Sequence, residues 1–156
     1  MTDLTESLMS SYQTREASVF AKLAARLNES SDERQQVAEE LLKVACEGDV
    51  RRAEIAIDIL IVTGMAREDK WFERLITAAE TIFSPAVLST LVADEGKRLK
   101  GTRKAARISP HLRILRSVIG ALVRKGGTRA TGFVNAVEAQ LAETPLASRI
   151  AKWRHS

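Results

Sequence analysis

The chain has 156 residues, 45% hydrophobic and 28% charged, with 8 Gly and 3 Pro. That is enough for one domain with its own core and too short for two comfortable ones, and the composition excludes fibrous, low-complexity and disordered classes. The net charge of +4 conceals opposite halves: residues 1–95 hold 10 Lys/Arg and 18 Asp/Glu, net minus eight, whereas residues 96–156 hold 14 and 2, net plus twelve.

The opening segment, MTDLTESLMSSYQ, has neither the basic n-region nor the apolar h-region of a signal peptide. A short helix around Leu4–Ser11 is the most it predicts. Thr14 is placed to cap the next helix, whose apolar face reads Val19, Phe20, Leu23, Ala24 and Leu27. Ser30 and Glu33 have the spacing of a capping box for a helix that turns Val37, Leu41, Val44 and Ala45 inward and stops at Gly48. Asp49 caps AEIAIDILIVTG, which is apolar nearly all round and is expected at the centre of the core. A fourth helix runs from about Arg67 to Phe83 on Trp71, Phe72, Leu75, Ile76, Ala79 and Ile82.

Ser84 and Pro85 form a cap and first-turn proline for a helix carrying Val87, Leu88, Leu91 and Val92 and ending near Gly101; Ser109 and Pro110 repeat the signature for HLRILRSVIGALVRK, stopped by Gly126 and Gly127. Thr131 or Gly132 opens FVNAVEAQLAE, and Thr144 with Pro145 opens LASRIAKW. The expected fold is all-α, a single-domain bundle of seven or eight short helices spanning residues 1–156. Starts near Ser31, Asp49, Arg67 and Pro85 fall 18 residues apart, so a short α-solenoid of helical hairpins is the alternative.

Between Glu95 and Glu138 lie 42 residues with 11 Lys/Arg and no acid. They contain RLKGTRKA (98–105) and RKGGTRAT (124–131), each a basic helix end followed by glycine and then Thr-Arg. Glycine beyond a helix and cations in its last turn satisfy the C-terminal carbonyls and dipole, which accounts for the two turns by themselves. The helix between them adds more. On a helical wheel Ile108, Leu112, Leu115, Ile119 and Leu122 cluster on one side, and Arg113, Arg116 and Arg124 lie opposite with Ser109, Ser117 and Gly120 among them. Pro110 to Lys125 is roughly 24 Å long. With Lys97, Arg98, Lys100, Arg103, Lys104, Arg107, Lys125 and Arg129 from the flanks, it makes a cationic strip the length of several backbone phosphates.

The expected function is therefore non-enzymatic nucleic-acid binding through the phosphate backbone of a duplex or structured RNA. Aromatic residues are only 4% of the chain, too few for a stacking platform, and zinc-finger, RNP-type and basic-zipper patterns are absent. The alternative is a helical adaptor or regulator that binds a protein partner or self-associates, the acidic half being a natural mate for the basic one. Membrane binding is not expected: the basic helix lacks Trp and Phe, and the longest apolar run, Ile55–Val62, is broken by Asp58.

No catalytic set, cofactor or metal site is expected. His111 and His155 have no obvious partners, and Glu54 with Asp58 stands at i, i+4 without the Glu-x-x-His pairs of a di-metal bundle. Asp58 is expected to pair with an arginine. Cys46, the single cysteine, reads as a small core residue and suits a reducing, intracellular setting, cytoplasmic or at the nucleoid or nucleus if nucleic acid is bound.

Overall fold

The computed structural model describes residues 1–101 and 108–155. Among them are nine α-helices and no strand: α1 (Asp3–Gln13), α2 (Ala17–Leu27), α3 (Ser31–Ala45), α4 (Val50–Val62), α5 (Asp69–Ile82), α6 (Pro85–Lys100), α7 (Pro110–Lys125), α8 (Thr128–Leu141) and α9 (Ala147–His155). A 3₁₀ turn, Met65–Arg67, joins α4 to α5. The fold is all-α, as the periodicity predicts. The short helix expected around Leu4–Ser11 is α1, held in place by burial of Leu4, Leu8 and Met9, and it brings the number among the described residues to nine.

The start signals act mostly where the sequence puts them. Ser30 accepts the Glu33 amide, Asp49 accepts the Arg51 and Arg52 amides, and Ser84 accepts the Val87 amide, each satisfying amides that lack an intrahelical partner. The Glu33 carboxylate, rather than turning back to complete the box, takes the Arg26 guanidinium from α2, with the closer contact at 2.6 Å. Gly64, at φ 81°, ends α4 in the left-handed conformation that glycine adopts without strain.

Three boundaries differ from expectation. Thr14 is the C-cap of α1, its hydroxyl donating to the Ser10 carbonyl and to the Glu16 carboxylate; α1 runs two residues beyond the expected end at Ser11, so Thr14 is taken by the preceding helix. The α8 helix starts at Thr128 rather than at Thr131 or Gly132, because Gly126 and Gly127, at φ 77° and 105°, turn the chain directly into it. Thr144 caps the turn before α9: its hydroxyl donates to the Leu141 carbonyl and accepts the Leu146 amide.

The chain divides into two compact units, Met1–Leu75 and Ile76–Ser156, with the division inside α5. In the first unit α1 packs against α2, α3 and α4, and α3 packs against α4. These contacts fit the expected helical bundle. The central position of α4 follows from its sequence. Ala56, Ile57, Ile59 and Leu60 are at most 1% exposed, and full burial stabilises each of the three large side chains by roughly 1.5–3 kcal/mol. In the second unit α8 packs against α6, α7 and α9, and α7 against α9. This unit is the basic one, with 14 Lys/Arg and 5 Asp/Glu against 10 and 15 in the first.

Candidate nucleic-acid interface

The α7 helix presents two chemically distinct sides. Leu112, Ile114, Leu115, Val118, Ile119 and Leu122 are buried to 3% exposure or less; at 100° per residue they cover the half of the helix toward α8 and α9. On the other half Arg113, Arg116 and Arg124 are exposed, with Ser117 and Gly120 half-buried among them. Arg113, Arg116, Gly120 and Arg124 share an arc of about 80°. The helix begins at Pro110, whose missing N–H costs nothing there. Ser109 makes no side-chain cap, and Arg113 donates instead to the Ile108 carbonyl at 3.0 Å.

Arg124 does not reach straight outward. Its Nη1 and Nη2 lie 3.8 Å from where a Cβ on Gly120 would stand, so the guanidinium is laid back over the preceding turn. That direction is the natural one for a long helical side chain. The charge of residue 124 thus sits at the level of residue 120, one turn from Arg116. Among the described residues neither Arg116 nor Arg124 enters an ion pair.

The remaining strip residues divide into three groups. Lys97 and Lys100 are exposed in the last turn of α6 and Lys125 in the last turn of α7, where cations favour the helix dipole. Arg98 and Arg129 are engaged inside the second unit. Arg98 donates from Nε to Glu95 Oε1 at 2.5 Å. Arg129, placed by the early start of α8 in its first turn, donates from Nη2 to Glu80 and to the Thr77 hydroxyl, both at 2.7 Å. Arg103, Lys104 and Arg107 lie outside the described residues. The structure thus brings together the α7 arginines and does not place Arg98 and Arg129 with them.

Glu95 is a buried charged residue that no sequence motif marks. It is 3% exposed, and besides Arg98 it faces Arg149 of α9, with Nε 3.2 Å from Oε2. This second contact is an ion pair without hydrogen-bond geometry, so Oε2 is buried and charge-compensated yet accepts no hydrogen bond. A signal was present: Leu88, Leu91 and Glu95 follow one another at i, i+3 and i+7, so the carboxylate sits in the apolar stripe of α6.

The other residues singled out in the sequence lie outside α7 or at its first turn. Asp58 is half-buried and accepts the Tyr12 hydroxyl at 3.2 Å. The Tyr12 hydroxyl is pushed up to about 12, first by its burial and then by the charge and hydrogen bond of Asp58, with Glu54 adding to the field. Tyr12 also meets Phe20 of α2 edge to face at 5.5 Å between ring centres. Cys46 is not a core residue: α3 ends at Ala45, leaving Cys46 exposed as its C-cap. Its thiol is nonetheless partly desolvated, which pushes it up and disfavours the reactive thiolate. Trp71 and Phe72 are both buried, with Lys70 Nζ 4.7 Å from the centre of the Trp71 ring. His111 is half-buried in the first turn of α7, and His155 is exposed at the end of α9.

Among the described residues no single helix is long and apolar enough to cross a membrane. No family model, curated protein or solved structure matches the chain.

Proposed function

We propose that this protein binds nucleic acid without catalysing a reaction on it, holding the phosphate backbone of a duplex or structured RNA on the outward side of α7. The observation that carries this reading is the exposure of Arg113, Arg116 and Arg124 along one arc of a helix whose opposite side is fully buried. Arginine suits the task, since its planar fork of donors matches phosphate oxygens. Arg113 to Arg124 covers about 16 Å of helix axis, the axial rise of about five phosphates along one strand. Base reading is not part of the proposal, because the arc holds no Asn or Gln for adenine and no aromatic side chain for stacking.

The test is a titration of a random-sequence duplex against the protein at several salt concentrations. Log affinity should fall linearly with log salt, with a slope near −0.9 per phosphate neutralised. Arg116→Glu with Arg124→Glu should abolish binding and leave the helical circular dichroism unchanged. Equal affinity at about 50 mM and about 300 mM salt would remove the proposal.

A second reading, protein association, is favoured by α2. Only Leu27 of that helix is buried; Val19 is 45% exposed, with Phe20, Leu23 and Ala24 half-buried beside it. This reading requires a concentration-dependent oligomer or a bound protein that Val19→Glu disrupts.

A further inference from the structure

We infer that Gly120 is the seat of a single backbone phosphate, a subsite with Arg116 one turn before it and the Arg124 guanidinium drawn back beside it. The inference rests on the nucleic-acid reading and deepens it. It turns a diffuse cationic face into a defined point of contact.

The fold does not require glycine at this position. Gly120 has ordinary helical φ, unlike Gly48, Gly64, Gly126 and Gly127, and the nearest atoms a Cβ there would meet are those of the Arg124 guanidinium, at ordinary van der Waals distance. Glycine inside a helix is nonetheless destabilising relative to alanine, because its backbone loses more freedom on folding. Where no turn or neighbour needs it, the remaining use of glycine is to let another group approach the backbone closely. The group this surface suits is an anion. Arg116, Gly120 and Arg124 form one i, i+4, i+8 row, with the residues about 6 Å apart along the axis. The missing side chain leaves a gap in that row at the level where Arg124 places its guanidinium. A phosphodiester oxygen seated in the gap meets that fork of donors, with the Arg116 charge one turn away.

Two other glycines inside helices serve as references. Gly96 and Gly132 also have nothing that a Cβ would strike, but Gly96 stands between Val92 and Lys100, and Gly132 between Thr128 and Ala136. Neither is flanked by arginine on both sides.

The experiment compares the wild-type chain with Gly120→Gln, Gly120→Ala and Gly132→Gln, titrated with the same random-sequence duplex and melted in parallel. Glutamine changes no charge and is a better helix former than glycine, so Gly120→Gln should melt at or above the wild-type temperature, by roughly 2–4 °C if the full propensity gain is realised. Its affinity should be roughly tenfold weaker, and its salt slope shallower by about one contact. Gly120→Ala should fall between it and wild type, and Gly132→Gln should bind as wild type. Wild-type affinity in Gly120→Gln would overturn the inference, as would a lower melting temperature or an equal loss in Gly132→Gln. If binding is lost in Arg116→Glu with Arg124→Glu but untouched in Gly120→Gln, this inference alone fails. If the wild-type chain shows no salt-dependent binding, the functional proposal fails and takes this one with it.

Discussion

In the first unit, ion pairs link helix to helix at the surface and acids remain in excess: Arg26 with Glu33, Arg34 with Glu68, Arg52 with Glu6, and Arg74 with Glu39. In the second unit acids are scarce, and three of the five are held by arginines that lie off α7: Glu80 by Arg129, Glu95 by Arg98 and Arg149, and Glu138 by Arg154. The difference teaches why net charge alone is a poor guide to a binding face. Arg98 of α6, Arg129 of α8, and Arg149 and Arg154 of α9 find carboxylates within their own unit, whereas Arg116 and Arg124 of α7 enter no ion pair among the described residues. A basic half therefore resolves into arginines that hold helices together and arginines that face solvent.

The strongest way to break this contrast is to remove Glu95. Most of the pairs above are substantially exposed, and such pairs contribute about 0–1 kcal/mol each. Glu95 differs, with a side chain 2% exposed between two guanidinium groups that are 24% and 29% exposed. Glu95→Ala leaves those cations uncompensated in a partly desolvated site, and unfolding in urea should show a loss of about 3 kcal/mol. Replacing the triad by Glu95→Leu, Arg98→Leu and Arg149→Met should recover most of it, since apolar packing removes both the desolvation and the pairing. A loss below about 1 kcal/mol in Glu95→Ala would put Glu95 among the surface pairs.

The acidic unit has its own internal probe, the single tyrosine of the chain. Tyr12 ionises at about 12 in the folded protein against 10.0 for an unperturbed phenol, through burial first and the Asp58 carboxylate second. Because the folded value is raised, the stability linked to it is fully present below pH 10 and is lost as pH climbs toward about 12. Tyrosinate absorbance should titrate well above 10 in the wild-type chain and move part of the way back in Asp58→Asn; Tyr12→Phe should flatten the alkaline fall in melting temperature. A wild-type midpoint near 10 would show that this acidic environment does not reach its interior.

Much of this was legible in the chain itself. Apolar spacing and caps at Ser30, Asp49, Ser84 and Pro110 place most of the helices, and the wheel of Pro110–Lys125 separates buried from exposed residues as the structure does. What could not be read was pairing across elements. Nothing local says that Arg129 meets Glu80, 49 residues away, or that Arg149 meets Glu95. Arg129 looks identical to Arg116 when only neighbours in sequence are considered, whereas Arg98 has Glu95 three residues before it on the same helix. Thr14 and Cys46 differ from expectation for a related reason: each sits at a helix end, as the C-cap of α1 and of α3, where local sequence leaves the boundary open by a residue or two.

The smallest expected effect tests whether the division of arginines is fixed. The Arg129–Glu80 pair is 42% and 53% exposed, so Glu80→Gln should change stability by less than about 1 kcal/mol, particularly as the Thr77 hydroxyl still accepts from Arg129. The variant nevertheless raises the charge of the second unit by one, without touching α7. If only the α7 arginines contact phosphate, duplex affinity should rise by no more than about threefold at low salt, and the gain should vanish at high salt as screening shortens its range. A rise beyond about tenfold would mean that the released Arg129 makes a phosphate contact of its own. The binding face would then continue from α7 onto the first turn of α8, with Glu80 as the group that holds that extension closed.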